Sequence, residues 1–245
     1  MTPNTVAWLG HSCTAIGLDG LLLVTDPVLR RRVVHLRRQT AVDPAVLAGA
    51  DAILISHTHY DHLDLPSLKQ LNRSARVVVP AGAGELLRRR GFSDVCEVAP
   101  GDEVELGPVR VRATHAQHDA PWRLGSGRTQ PLGFVVAGTR SVYFAGDTDV
   151  FDCMRDLGRI DVALLPIAGW GSRLPAGHLD SLRAAQALEL IQPEVAIPIH
   201  WGTYSPWRPP TRRDPAAMKF AEIAATIAPD VDVLVLAQGQ SYALD

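Results

Sequence analysis

The sequence of 245 residues contains only three cysteines, Cys13, Cys96 and Cys153. Their odd number, wide separation and lack of any paired spacing exclude a disulfide framework and suit a reducing compartment, with each thiol expected to pack as a small buried apolar side chain. Long hydrophobic runs are missing too: no uncharged apolar stretch approaches the ~20 residues of a membrane span. The opening Met1-Thr2-Pro3-Asn4-Thr5 lacks a basic segment leading into an apolar one, so the expectation is a soluble, cytoplasmic protein without membrane attachment. Nor is there an excess of one charge. The 24 basic and 26 acidic side chains leave a net charge of −2, which gives no electrostatic reason to expect nucleic acid as a partner. Linkers of low complexity, internal repeats and composition breaks are also absent, so residues 1–245 read as one domain.

What is present is a 47% hydrophobic composition, ample for a large core. Short β-branched or apolar runs bounded by Gly, Pro or Asp predict strands at residues 5–9, 21–25, 52–56, 76–79, 109–113, 133–137, 141–145, 162–166, 195–199 and 233–237. Helical spacing of apolar residues, as in Leu182, Ala185, Leu188 and Ile191, predicts helices at 65–71, 84–90, 150–157, 180–191 and 215–227. Strand pairs such as 133–137 and 141–145, joined by Gly138-Thr139-Arg140, alternate with these helices. The fold class is therefore α/β, with sheets covered by helices.

The most informative segment is Ile53-Leu54-Ile55-Ser56-His57-Thr58-His59-Tyr60-Asp61-His62. An apolar strand here runs straight into four potential ligands within six residues. Imidazole nitrogen and carboxylate oxygen are donors that a borderline cation such as zinc accepts. Alternate residues of an extended segment point the same way, so His57 and His59 can reach one ion, while Asp61 and His62 turn toward a second position. A lone histidine at a strand end is more often solvated, but four such residues in this pattern are not. Two later strand ends carry similar candidates. Asp147 follows Val142-Tyr143-Phe144-Ala145-Gly146, where glycine permits a sharp turn. His200 follows Val195-Ala196-Ile197-Pro198-Ile199. In His115-Ala116-Gln117-His118 either histidine could approach the site.

With His57, His59, Asp61 and His62 filling the pattern His-x-His-x-Asp-His, and His118, Asp147 and His200 following in order, the sequence resembles the metallo-β-lactamase superfamily. The resemblance implies a single-domain, four-layer αββα sandwich with a dinuclear site at one edge, on loops that follow strands. It implies that His57, His59 and His118 bind one metal ion, that Asp61, His62 and His200 bind a second, and that Asp147 bridges them. Zinc is the first expectation for these two divalent ions, with Mn2+ or Fe2+ also suited to the donors. The implied activity is hydrolysis of an ester, lactone, amide or phosphodiester of a small-molecule substrate by a metal-bound hydroxide that Asp61 orients.

Further pieces, Trp8-Leu9-Gly10-His11-Ser12, Val24-Thr25-Asp26-Pro27, Ala116-Gln117-His118, Phe144-Ala145-Gly146-Asp147-Thr148 and Ile199-His200-Trp201-Gly202-Thr203, resemble the branch containing N-acyl-phosphatidylethanolamine phospholipase D and the L-ascorbate-6-phosphate lactonase-like proteins. By that comparison His178 lies near the active site and is the candidate for contacting substrate or protonating a leaving group. A solvated histidine before a helix is an equal reading of the residue alone. His118 is flanked by His115 and Asp119 where the phospholipases carry Pro and Trp, which argues against a phospholipid substrate. His11 reads either as a group orienting a ligand or as an ordinary strand-end histidine. The basic run Arg30-Arg31-Arg32-Val33-Val34-His35-Leu36-Arg37-Arg38, expected in a loop or short helix, reads first as a solvated face and second as a grip for an anionic substrate group. Trp122, Trp170, Trp201 and Trp207 are candidates for a pocket lining or for packing. The competing functions are a metal-binding or sensing protein without catalysis, and a mononuclear iron dioxygenase. The sequence does not fix the oligomeric state.

Overall fold

The computed structural model describes residues 4–119, 128–167, 174–206 and 216–244. Its first sheet contains β1 (Thr5–Gly10), β2 (Cys13–Leu18), β3 (Leu21–Thr25), β6 (Ala52–Leu54), β7 (Arg76–Pro80), β8 (Val95–Val98) and β17 (Ser241–Ala243), in the order β17-β1-β2-β3-β6-β7-β8. The second contains β9 (Glu103–Leu106), β10 (Val109–His115), β11 (Leu132–Ala137), β12 (Ser141–Phe144), β13 (Val162–Pro166), β14 (Val195–Ile199) and β16 (Asp232–Val233), in the order β16-β14-β13-β12-β11-β10-β9. A small third sheet joins β4 (Arg32–Val33), β5 (Leu36–Arg38) and β15 (Tyr204–Pro206).

The four layers follow from period-two alternation along strands that are buried on both faces. Val6 and Trp8 of β1, Ala52 and Leu54 of β6, Val142 and Phe144 of β12, and Ile197 and Ile199 of β14 meet in a core between the two large sheets. The intervening residues point outward. Ile53, Val77 and Val79 pack under α1 (Leu65–Leu68) and α2 (Gly84–Arg88). Tyr143, Ala163, Leu165 and Ala196 pack under α3 (Ser181–Ile191) and α4 (Ala216–Ile227). The αββα arrangement expected from the sequence is therefore the one observed. Asp180 caps α3, its carboxylate accepting the Leu182 and Arg183 amides, which is why that helix starts where the periodicity says it should.

Several local expectations are corrected. The segment expected as a helix over 150–157 forms only a 3-10 turn, Asp152–Asp156, whose leading residue Phe151 supplies no side-chain cap. The strand expected at 233–237 reduces to Asp232–Val233. The basic run is neither loop nor helix but the hairpin β4–β5, and its last arginine is not solvated. Arg38 is buried and gives its guanidinium to the carbonyls of Leu9, Val28 and Thr40 and to the Tyr204 hydroxyl. Arg30 pairs with Asp64, 2.6 Å from Nη2 to Oδ1, while Arg31, Arg32 and Arg37 are exposed. Among the described residues, no helix is long and apolar enough to cross a membrane.

All three thiols are free, but only Cys13 is buried; Cys96 is half-buried and Cys153 exposed, against the expectation of three buried cysteines. Burial pushes the Cys13 thiol up to about 12, so it presents no thiolate at neutral pH. A maleimide should label Cys153 rapidly in the native protein and Cys13 only after unfolding. Loss of the fast reaction in Cys153→Ser, read by mass spectrometry, checks the assignment.

Candidate metal centre

In the first sheet β1, β3 and β6 run in one direction, and in the second β10, β12 and β14 do. The loops that follow these six strands carry His11, Asp26, the 57–62 motif, His118, Asp147 and His200 in turn, and they meet at one edge of the sandwich. Three of the residues, His11, Asp26 and His200, hold left-handed backbone at φ 55°, 33° and 63°. This conformation costs a non-glycine residue of order 1 kcal/mol or more, and such outliers cluster at functional sites. Gly146, at φ 63°, lets the loop before Asp147 pass so close to Ser56 that an added Cβ would lie 2.8 Å from the serine Cβ. The loops bearing His118 and Asp147 are zipped together, the Gln117 amide donating to Thr148 Oγ1 at 2.9 Å and the Asp149 amide to the Gln117 carbonyl at 2.9 Å.

His57, His59 and His118 form one group. His59 Nδ1 lies 2.9 Å from His57 Nε2 and 3.3 Å from His118 Nε2. The far sides of two of these rings are committed. Ser56 Oγ gives its only proton to Asp26, so the 2.9 Å contact from His57 Nδ1 to Ser56 Oγ must be donated by the imidazole. His118 Nδ1 donates to the Gly177 carbonyl at 2.9 Å. Both Nε2 atoms therefore carry lone pairs aimed at His59 Nδ1, which can supply one proton at most. At least one lone pair is left facing the middle of the group, an arrangement that a cation resolves.

Asp61, His62 and His200, together with His11, form a second group whose ligand atoms lie within 4.8 Å of one another. His62 Nδ1 is bound to Asp26 Oδ2 at 2.7 Å, which turns Nε2 into the centre. Asp147 stands between the groups: its Oδ2 lies 3.2 Å from His62 Nε2 and 3.9 Å from His57 Nε2, and its Oδ1 lies 3.4 Å from His200 Nε2. His62 Nε2 and Asp147 Oδ1 are buried, yet neither makes a hydrogen bond to any described residue. Buried polar atoms are rarely left in that state, and a donor set of imidazoles and carboxylates oriented this way fits a divalent ion.

The electrostatics agree. Burial, reinforced by His62, holds His57 well below an ordinary imidazole and lowers His59 to about 4. Burial also lowers His118, and burial with His200 takes His11 down to about 3. Burial disfavours charge on His62 as well, but Asp147, Asp61 and Asp26 outweigh it and hold that imidazole well above the usual range. Burial would likewise raise the two central carboxylates. The histidines nevertheless keep them well below their usual range, His62 foremost at Asp61 and His200 then His62 at Asp147. An imidazole held toward its protonated form by the carboxylates around it marks a centre that lacks positive charge, which metal ions supply.

All seven residues expected as ligands thus converge, and His178 joins them, with Nε2 3.5 Å from Asp147 Oδ2. His115 does not: it is exposed and lies against Phe151 and Gln130. Trp201 stacks on Trp8 with ring centroids 5.0 Å apart and so serves packing, while Trp122, Trp170 and Trp207 lie outside the described residues. Three contributors had no assigned role in the sequence: Asp26, Ser56 and the Gly177 carbonyl. Asp26 was visible only as part of Val24-Thr25-Asp26-Pro27, where an Asp-Pro pair reads as a turn.

An αββα sandwich with this histidine and aspartate cluster at one edge defines a metallo-β-lactamase-fold protein. The beta-lactamase superfamily domain matches residues 22–201, and the chain belongs to that superfamily. It is similar to a UPF0173 metal-dependent hydrolase of Methanopyrus kandleri, 34% identical over 248 residues that cover 97% of this chain and 98% of that protein. It is also similar to a UPF0173 metal-dependent hydrolase of Thermoplasma acidophilum, 33% identical over 91% of each. A metallo hydrolase of Ignicoccus hospitalis has a solved structure that superposes with a TM-score of 0.77 at 25% identity, over 98% of both chains.

Asp26 accepts from the Ser56 amide, the Ser56 hydroxyl and His62 Nδ1. Asp26→Ala leaves these buried donors unpaired and should destabilise the fold by about 1–3 kcal/mol. It should also weaken divalent-ion binding about 10–100-fold. Thermal unfolding and zinc titration of the variant measure the two effects separately.

Proposed function

We propose that this protein is a metal-dependent hydrolase that holds two divalent cations, zinc foremost, and uses water to cleave an ester, lactone, amide or phosphodiester of a small substrate. The observation that carries the reading is the convergence of two donor groups, His57/His59/His118 and Asp61/His62/His200, on either side of the buried Asp147 carboxylate. The first group would hold one cation and the second the other, with Asp147 shared. Cations held there would supply a nucleophilic water at neutral pH and Lewis-acid stabilisation of the oxyanion that develops during attack.

The chain's own residues do the rest. Asp61, beside His62, offers a carboxylate that can accept a hydrogen bond from the attacking water and so orient it. His178 turns Nδ1 toward the carbonyls of Pro175 and Ala176 at 3.3 Å each. Burial works against charge on His178, but Asp147 more than offsets this and raises the imidazole above its usual range. The shift favours the protonated ring, in which Nδ1 donates to those carbonyls and Nε2 carries the proton that would pass to the leaving oxygen or nitrogen. No serine or cysteine nucleophile is required, and Cys13 is closed off beneath the first sheet. The three free thiols suit a cytoplasmic location.

Elemental analysis of the purified protein should find about two equivalents of zinc, the stoichiometry of a two-metal site. His57→Ala and Asp147→Ala should each lower that content. A screen of phosphodiester, lactone and thioester substrates should find turnover that a chelator abolishes. His178→Ala should then retain its metal while kcat falls about 100-fold, the usual contribution of a positioned acid. Bound metal without any turnover would favour a sensing protein, and a single iron would favour a dioxygenase.

A further inference from the structure

His11, which nothing in the composition of the ligand motif singles out, enters the same centre from β1. Its Nε2 lies 3.1 Å from Asp61 Oδ2 in hydrogen-bond geometry. A carboxylate beside cations has no proton to give, so the imidazole donates. An Nε2 that carries a proton has no lone pair for a metal, so His11 acts on Asp61 rather than beside it as a ligand.

The backbone of the same residue acts on a second member of the group. The His200 amide donates to the His11 carbonyl at 2.9 Å, and the His11 amide meets Thr203 Oγ1 at 2.6 Å. Both His11 and His200 are left-handed, at φ 55° and 63°, and their rings lie 4.0 Å apart. The turn is held from behind as well. Trp8 Nε1 donates to the His11 carbonyl at 2.8 Å, Arg38 donates to the Leu9 carbonyl, and the Tyr204 ring meets the His11 ring edge-on at 5.5 Å. A side chain that served packing alone would need neither the bond to Asp61 nor the unfavourable φ.

Resting on the two-cation reading above, we propose that His11 is the positioning residue of the second metal group: its Nε2–H fixes the Asp61 carboxylate while its carbonyl fixes His200. The first group, His57/His59/His118, has its own supports in Ser56 and Gly177 and does not depend on it.

The test is zinc titration of the metal-stripped full-length protein, reading each equivalent separately, with far-UV circular dichroism to establish folding. His11→Ala removes the donor and should weaken the second equivalent about 10–100-fold while leaving the first within about threefold. Asparagine tolerates left-handed backbone but is too short to bring its amide where Nε2 stands, so His11→Asn should fold and show the same selective loss. Glutamine places an amide nitrogen near the position of Nε2, and His11→Gln should recover the second equivalent to within about threefold of wild type. A second equivalent unchanged in His11→Asn overturns the proposal, as does His11→Gln weakened as much as His11→Ala, which would mark His11 as a ligand. A wild-type protein that binds only one equivalent overturns the two-cation reading itself, a result distinct from either.

Discussion

The buried carboxylate of Asp26 accepts three hydrogen bonds, from the Ser56 amide, the Ser56 hydroxyl and His62 Nδ1, and the rest of the centre depends on that arrangement. It joins the end of β3 to the loop after β6. By taking the serine proton, it also forces His57 to donate from Nδ1 and so to aim its Nε2 lone pair inward. By bonding His62 Nδ1, it turns the Nε2 of the neighbouring ligand candidate into the centre. Free imidazoles in water would not hold one tautomer and one orientation; these rings do because their outer nitrogens are already bonded to buried partners. Removing one buried acceptor of this kind exposes several donors at once, which is why such networks are costly to disrupt.

The sandwich supplies the second requirement, a common meeting point. Strands of the two sheets whose C-terminal ends lie at the same edge deliver loops from both sides of the core, so residues more than 140 positions apart in sequence, such as His57 and His200, come to one place. Rigid strands buried on both faces set the position of each loop, while left-handed turns at His11, Asp26 and His200 re-aim the side chains inward. Strain at these turns is tolerated because the surrounding strands and bonds over-determine them. His178 enters differently, from the loop ahead of α3, and sits on the same carboxylate as the histidines of both groups.

Much of this was legible in the sequence. The cluster 57–62 could be read because ligand types are concentrated where an apolar strand ends, and Asp147 and His200 because each also follows an apolar strand. The outer helices could be read where periodicity and a capping Asp180 agreed. The supporting partners could not, since Asp26 and Ser56 reach their targets only through the pairing of β3 with β6, and Gly177 contributes a carbonyl that every residue type possesses. The β4–β5 hairpin was hidden because a run of arginines suggests a solvated face; in fact Arg38 turns inward to satisfy four separate acceptors. Strands such as Glu103–Leu106, with alternate residues exposed, are not legible as strands because half of their residues are charged or polar.

The central claim is that two cations occupy the two donor groups with Asp147 between them. Diffraction from crystals soaked in zinc, recorded on both sides of the zinc absorption edge, tests it most directly. Two anomalous peaks are expected, one surrounded by His57, His59 and His118 and the other by Asp61, His62 and His200, with an Asp147 oxygen near each. A single peak, or peaks whose neighbours are other residues, would contradict it.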